Sequence, residues 1–448
     1  MEIGSFHTLF FMIVFAVFFC ILLLILLIAW GKINPFLAFL IVSIVAGLLL
    51  GIPVNKIAAS IQKGIGDTIG SLLIIIVLGA MLGKLVAESG AAQKIASVLM
   101  KGFGTKNIQW ALVITGFIVG IPLFYQVGFV LLIPLIFSVV YQYKLPAVYI
   151  GLPTMAALSV THGFLPPHPA PTALVGQFNA NLGQTLLYGL VIAVPTIIVG
   201  GPVFSRTLKN IRSKPLETFQ PSEITEEKMP GSFASFFVAL FPVALLMITT
   251  LLLYLDFKDE LLVQAINLLN TPAIVMLIAL AVATYFIGIR NGKSMKQVMS
   301  IYEVAVKDVA MILLIVGAAG AMKQVLAESG VDKVIAAQLQ SLHLNVLVLG
   351  WLIAAIIRAC LGSSTIAGLT AAGILAPLVI ESGVNPNLMV LSVGAGSLAF
   401  SHLNDTGFWM FKEYFNLSLK DTFRSWAAME TIVAVCGLIG VIILDMIL

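Results

Sequence analysis

Long apolar runs separated by short polar segments recur along the whole chain. Many of them approach the ~20 residues that an α-helix needs to cross a bilayer, so the pattern predicts an all-α polytopic membrane protein. The hydrophilic segment 208–232 is the longest and divides the pattern into two halves. The runs that predict unbroken transmembrane helices are 9–30, 33–51, 70–87, 184–207, 233–255, 271–289, 307–326 and 427–447.

Two apolar stretches, 108–141 and 345–380, are too long for one helix. The first is interrupted at Gly120–Gly128 (GIPLFYQVG) and the second at Leu361–Thr365 (LGSST). Glycine and proline both disfavour a continuous helix. Each stretch therefore predicts a re-entrant hairpin, whose two short helices enter and leave the membrane on one side.

Two further apolar segments contain a helix break. The segment 146–182 is broken at Thr161–Thr172, which holds four prolines and two histidines, and the segment 386–403 runs into Ser401–Phe408 (SHLNDTGF). A broken helix at membrane depth is tolerated only where its backbone is buried in protein or lines a cavity. In secondary transporters such helices commonly build the substrate site.

The two halves also share a sequence spacing. The motif AESG occurs at 87–90 and again at 327–330, and His162 and His402 keep the same offset. We interpret the halves as two structural repeats. The predicted division is 1–32 for an extra N-terminal transmembrane helix, 33–208 for the first repeat, 209–269 for a cytoplasmic loop and linking helix, and 270–448 for the second repeat.

Composition supports a polytopic membrane protein. Of the 448 residues 60% are hydrophobic and 10% are charged, whereas soluble domains carry about 25% charged residues. The net charge of +4 gives no indication of nucleic acid binding. Lysine and arginine in the short loops place 208–232 in the cytoplasm. That orientation makes the second repeat inverted relative to the first, an architecture found in many secondary transporters.

The first helix break supplies candidate substrate contacts. Histidine at membrane depth is rare and marks functional sites, so His162 is a candidate both for substrate binding and for carrying a proton. The alternative is a histidine that bonds a freed carbonyl and holds the loop shape, and this alternative is stronger for His168. The neighbouring candidates for substrate binding are Ser159, Thr161 and Gly163.

The second break supplies a carboxylate. Asp405 could bind a cation or shuttle a proton, or it could simply cap the helix that follows, as aspartate often does. We keep it as a proton-coupling candidate. The substrate-binding candidates beside it are Ser401, His402 and Asn404.

The hairpin tips offer an anion site. Arg358 lies in an apolar run, where an unpaired arginine costs ~2.5–3.5 kcal/mol on insertion scales, and its planar fork suits a carboxylate; the alternative is that it snorkels to the interface. A helix start with hydroxyls at Ser363, Ser364 and Thr365 would also attract an anion. The first tip contributes Tyr125 and Gln126. We interpret four charged residues near predicted helix ends as interfacial: Lys84, Lys307, Asp308 and Lys323.

Motifs for other chemistry are lacking in the sequence. It contains no HExxH, GxSxG, Walker A or GxGxxG pattern, and the three cysteines have no metal-ligand spacing. We therefore predict no cofactor, no metal and no enzyme activity. An intramembrane metalloenzyme that uses His162, His168 and Asp405 stays open as a remote alternative. A channel is a further alternative, disfavoured because no charged ring repeats.

Several motifs resemble the bacterial gluconate permease family of proton symporters, which belongs to the ion-transporter superfamily. They are HGFLPPHPAPT, GAMLGKLVAESG, QVGFVLLIPL, KQVLAESGVDK, LGSSTIAGLTAAG and SHLNDTGFWMFKEYFNL, and the resemblance covers about 33–448. It implies a carrier in the bacterial cytoplasmic (inner) membrane that imports gluconate, a related sugar acid or D-serine with a proton. It also implies hairpin tips and broken helices that move against a scaffold, and leaves a homodimer open.

The chain departs from the family pattern at three positions. Gln126 stands where the family tip reads FYEVG or FFEVG, Ala170 replaces the glycine of HPGPT, and Thr406 replaces the proline of NDPGFW. A glutamate at the tip could carry the coupling proton, so Gln126 leaves sodium open as the coupling ion. Our hypothesis is proton-coupled import of a small hydroxylated carboxylate, with the carboxylate held by Arg358 and the tip hydroxyls.

Overall fold

The computed structural model describes residues 3–120, 125–166, 168–220, 229–253, 255, 257–331, 334 and 344–448. Within these ranges all regular secondary structure is helical. The first half contains α1 (Ile3–Ile25), α2 (Pro35–Leu49), α3 (Val54–Glu88), α4 (Ala91–Gly120), α5 (Tyr125–Tyr143), α6 (Ala147–Phe164), α7 (Pro169–Gln177) and α8 (Leu182–Ile198). Residues 121–124, in the predicted first hairpin tip, lie outside the described part.

The second half repeats this order of elements. After α9 (Ser232–Leu252) and α10 (Glu260–Leu269) come a short helix, a long helix, a hairpin and a broken helix, as in the first half. These are α11 (Pro272–Ala283), α12 (Met295–Glu328), α13 (Val346–Leu361), α14 (Ser364–Ser382), α15 (Pro386–Gly396) and α16 (Thr406–Tyr414), followed by α17 (Leu419–Thr422) and α18 (Ala428–Ile447).

Six of the described helices are long and apolar enough to cross a membrane. The chain is therefore a multi-pass membrane protein, as its apolar runs predict. These helices, including π-helical and short 3₁₀ continuations, span Val54–Glu88, Tyr125–Tyr143, Leu182–Leu208, Pro272–Ile289, Met295–Glu328 and Leu419–Ile447.

The helices α3 and α12 are longer than the predicted spans 70–87 and 307–326. The difference lies at their N-terminal ends, because residues 54–69 and 295–306 include polar and charged side chains, so hydropathy alone starts both helices too late. Lys63 and Asp67 form an exposed ion pair across one turn of α3, and α12 starts in a capping box between Ser294 and Gln297. Polar first turns of this kind extend a helix beyond its apolar run.

The helices α3 and α12 pack against each other in antiparallel directions. Ser60, near the start of α3, donates a hydrogen bond to Glu328 at the end of α12. A Cβ on Gly64 would come within 2.4 Å of the Gly320 carbonyl oxygen, so only glycine permits this approach. An antiparallel pair of equivalent helices is what an inverted repeat requires. The inversion and the repeat boundaries stay predictions.

The first helix break lies within the predicted stretch Thr161–Thr172, and the second overlaps the predicted Ser401–Phe408 but begins earlier. Helix α6 ends at Phe164 and α7 begins at Pro169, while α15 ends at Gly396 and α16 begins at Thr406. The second hairpin turns at Gly362–Ser363, as LGSST predicts. Proline at the first position of α7 and glycine after α13 are typical of helix starts and ends.

Part of the hydrophilic segment 208–232 packs into the helix bundle. The amide of Leu216 donates to the Tyr414 carbonyl at 3.0 Å, and Thr218 donates to Asp308 at 2.5 Å. The ring of Phe219 is buried and lies against Gly83. The segment therefore connects α3 and α12 with α16. Its residues 221–228 lie outside the described part, and its cytoplasmic location stays a prediction.

Candidate functional site

A cavity of about 570 Å³ lies between the long helices α3 and α12 and the tips and breaks of the other elements. Its wall contains hydroxyl, amide, imidazole, ammonium and carboxylate groups as well as apolar side chains. The polar residues in the wall are Asp67, Thr68, Ser71, Gln126, His162, Thr271, Lys323, Ser363, Ser364, Thr365, Asp405 and Thr406.

His162 connects the first break with the opposite hairpin tip. It lies in the last turn of α6 and is buried but for the cavity. Its Nδ1 is 3.1 Å from His168 Nε2, and its Nε2 is 2.9 Å from the Ser364 hydroxyl. The two imidazoles and the serine thus form one hydrogen-bonded row that ends in the cavity wall.

The second hairpin tip is fixed against the second break. Gly362 has a left-handed φ of +71°, and a Cβ there would meet the Asn404 carbonyl oxygen at 2.1 Å. The Asn404 side chain donates in turn to the carbonyls of Ala359 and Cys360, at 2.7 and 3.0 Å. Ser363 then caps α14 by accepting from the Ile366 amide.

Arg358 and Asp405 form a buried ion pair behind the tip. Arg358 Nη2 donates to Asp405 Oδ2 at 2.5 Å, and Arg358 is 4% exposed, which excludes snorkelling. Asp405 also accepts from the hydroxyl of Ser401 and, through Oδ1, from the Gly407 amide at 3.0 Å. It is therefore a helix cap as well as an ion-pair partner. The indole of Trp426 donates to Ser401 at 2.7 Å.

The structure divides the sequence-predicted residues into two groups. Six of them line the cavity: Gln126, His162, Ser363, Ser364, Thr365 and Asp405. The other eight do not line this cavity: Tyr125, Ser159, Thr161, Gly163, Arg358, Ser401, His402 and Asn404. Within the second group, Tyr125 is buried against the rings of Phe129, His162 and Trp426.

Two charged residues in the cavity wall were not among the predicted site residues. Lys323 is not an interfacial residue at a helix end, because α12 continues to Glu328 and presents Lys323 to the cavity. Asp67 lies on the amphipathic part of α3, outside the predicted span. A lone lysine in an apolar run is the same signal that drew attention to Arg358, so Lys323 could have been found.

A third charged residue, Glu430, is buried in α18 behind the cavity. It is 2% exposed, and its Oε1 accepts a hydrogen bond from Ser159 of α6. The sequence signal was present, because Glu430 interrupts an otherwise apolar run. Among the described residues, no group of three or more histidine, cysteine and carboxylate side chains is arranged to hold a metal ion.

Comparisons with known proteins agree with one another. A family model described as GntP family permease matches residues 12–447. The chain is 46% identical to a high-affinity gluconate transporter of Escherichia coli (strain K12), over 96% of this chain and 98% of that protein. It is 45% identical to the Gnt-II system L-idonate transporter of the same strain, over 95% and 97%. It is 44% identical to a gluconate permease of Bacillus subtilis (strain 168), over 95% and 98%.

Proposed function

The chain belongs to the GntP family of permeases, and we propose that it imports gluconate, or a related small hydroxylated carboxylate, by proton symport. As a permease it is a transporter and not an enzyme, so the metalloenzyme hypothesis is dropped. The observation that carries the proposal is the cavity between the two hairpins, the two breaks and the α3–α12 pair. The names of the relatives support gluconate, and L-idonate is the first related substrate to test.

The cavity has the chemistry that a polyhydroxylated acid needs. Such a substrate presents many hydroxyls and one carboxylate, and each group must find a partner when it leaves water. Gln126, His162 and Thr365 can donate and accept hydrogen bonds. We propose that these side chains, together with Ser363 and Ser364, contact the substrate hydroxyls.

We assign the substrate carboxylate to Lys323 and the start of α14. Lys323 lines the cavity, and no carboxylate lies within ion-pair distance of it among the residues that the structure describes. The α14 N-terminus adds its helix dipole and the hydroxyls of Ser364 and Thr365.

This assignment changes the role that the sequence suggests for Arg358. Its charge is already paired with Asp405, and it stands behind the cavity wall. Two of its donor groups, Nε and Nη1, have no hydrogen-bond partner among the described residues. We propose that Arg358 holds Asp405 beside the substrate and adds positive potential to this side of the cavity.

We propose that the ion co-transported with the substrate is a proton, with sodium as the second candidate. Transport would be tested with purified protein in proteoliposomes, by uptake of labelled gluconate under an inward proton gradient, with and without an uncoupler. We expect accumulation that the uncoupler abolishes. Accumulation driven only by a sodium gradient would overturn proton coupling. Competition by L-idonate and D-serine would rank the substrates, and no gluconate uptake would overturn the gluconate assignment.

The carboxylate assignment has its own test. Lys323→Gln should raise the KM for gluconate at least tenfold, because the cation that faces the carboxylate is lost. Lys307→Gln is the matched control, since Lys307 lies on the same helix but pairs with Glu303 on an exposed face. If folded Lys323→Gln has an unchanged KM, Lys323 does not bind the substrate carboxylate and another group must do so.

A further inference from the structure

Glu430 is a buried carboxylate that the proposed site does not use. Its Oε1 accepts from the Ser159 hydroxyl, whereas its Oε2 has no hydrogen-bond partner among the residues described. No lysine, arginine or histidine in the described ranges lies within ion-pair distance of it. A buried, charged carboxylate without an ion-pair partner is energetically costly, and binding a proton removes that cost by neutralising the charge.

The groups around Glu430 do not supply a free cation. Arg358 from α13 acts on it electrostatically, but Arg358 is paired with Asp405, whose charge acts in the opposite sense. Tyr125 from α5 is the third group that interacts with it. The remaining titratable groups on elements packed against α18 are His162 and Tyr149 of α6, Tyr188 of α8, Cys360 of α13 and the exposed Arg424 that precedes α18.

Two short connections join Glu430 to the cavity wall. The first runs through α6, where Ser159 lies one turn before His162. The second runs along α18 and its preceding turn, where Trp426 lies one turn before Glu430 and bonds Ser401, which bonds Asp405. Both connections end at residues that line the cavity. Glu430 is therefore placed between the two helix breaks, with one hydrogen-bonded connection to each.

We propose that Glu430 carries the co-transported proton. The proton adds to the free Oε2 on the side of uptake and leaves from the same oxygen on the side of release, while Ser159 continues to donate to Oε1. Through Ser159 and Trp426, the protonation of Glu430 would be coupled to the two helix breaks that hold the substrate. The inference rests on the proposed proton symport. Its test therefore distinguishes a failure of proton symport from a failure of Glu430 as the proton carrier.

The test uses Glu430→Gln in proteoliposomes, with two readouts. Counterflow exchanges labelled for unlabelled gluconate without net proton movement, and we expect it to be retained. Accumulation driven by an inward proton gradient, and the accompanying acidification reported by a lumenal pH dye, should both be lost. Accumulation and acidification at wild-type levels in the variant would overturn the inference.

The wild type and two further variants keep the outcomes distinct. If the wild type shows no proton-driven accumulation, the proposed symport fails, and the inference fails with it. Glu413→Gln, a carboxylate-to-amide change on α16, is the control and should behave as wild type. If Glu430→Gln does not fold, Glu430→Asp and Ser159→Ala replace it. Both should shift the pH of half-maximal uptake while retaining counterflow, and an unshifted profile in both would overturn the inference.

Discussion

The two helix breaks satisfy their buried polar groups in different ways. At the first break, two imidazoles and a serine form a hydrogen-bonded row, which reaches from α6 to the start of α14 at the second hairpin tip. At the second break, Asp405 forms an ion pair with Arg358 on α13 of that same hairpin. The first break thus contacts the second hairpin tip through exchangeable hydrogen bonds, whereas the second break is held to the same hairpin by an ion pair.

This difference assigns different tasks to the two breaks. Hydrogen bonds between His162 and Ser364 can be exchanged for bonds to a substrate hydroxyl at little net cost, since both lie in the cavity wall. A buried ion pair cannot be opened so cheaply, because a lone buried charge is strongly unfavourable. We therefore interpret the first break as the adaptable contact and the second as the frame.

Asp405→Asn should have the largest effect on stability. It leaves Arg358 buried without its counter-charge, and breaking a buried pair from one side typically costs about 3–5 kcal/mol. We expect a large fall in the melting temperature in detergent and in folded yield. Glu303→Gln is the matched control, because it removes a carboxylate from the exposed pair with Lys307 and should leave the melting temperature unchanged. Equal melting temperatures for both variants would contradict the view of the second break as a charged frame.

Gly362→Ala should have the next largest effect. A left-handed conformation costs a non-glycine residue about 1–2 kcal/mol, and the new Cβ would also strike the Asn404 carbonyl. Gly383→Ala is a close control, because Gly383 also has a positive φ (+66°) after a helix but has open space around it.

Both glycine variants should lose stability through the backbone, and Gly362→Ala should additionally lose transport because its tip is pushed away from the second break. The measurements are the melting temperature and gluconate uptake. If the two variants behave alike in both assays, contact between tip and break is not important for transport.

The features predictable from the sequence are those with local causes. Proline and glycine predict the first break and the second hairpin turn correctly, because their effect on a helix does not depend on distant residues. The predicted starts of α3 and α12 are wrong, since their N-terminal turns carry too many polar residues for a hydropathy signal. The position of Lys323 was misjudged for a related reason, as it depends on which face of α12 meets the tips.

The pairing of site residues needed three-dimensional information. Nothing in the order of residues joins Arg358 to Asp405, or Ser159 to Glu430, because each pair brings together elements far apart in the chain. Asp405 caps α16, as one of its two suggested roles requires, and it also forms a buried ion pair that the sequence does not reveal; its role in proton coupling stays a prediction. A sequence shows that a polar residue in an apolar run needs a partner, but not which partner it finds.

His162→Ala should have a moderate effect on stability and a marked effect on substrate affinity. The change removes the hydrogen bonds that His162 makes to His168 Nε2 and to the Ser364 hydroxyl. An unsatisfied buried polar group costs about 1–3 kcal/mol. His162→Gln keeps a donor and an acceptor and should restore part of both properties. The measurements are the melting temperature and the KM for uptake. A fall in stability as large as that of Asp405→Asn would contradict the division between the breaks.

The smallest changes compare two serines with the same chemistry on different sides of the cavity wall. Ser364 lines the cavity and bonds His162, whereas Ser401 stands behind the wall and bonds Asp405. Replacing Ser364 by alanine should cost about 1 kcal/mol of stability, whereas replacing Ser401, which donates to a carboxylate and accepts from Trp426, should cost about 1.5–3 kcal/mol. Only Ser364→Ala should raise the KM for gluconate, by a few-fold, because only Ser364 can exchange its protein partner for a substrate hydroxyl. Because the larger loss of stability falls on Ser401→Ala, a higher KM in Ser364→Ala reports the cavity contact itself. A higher KM in Ser401→Ala than in Ser364→Ala would move the adaptable contact to the second break.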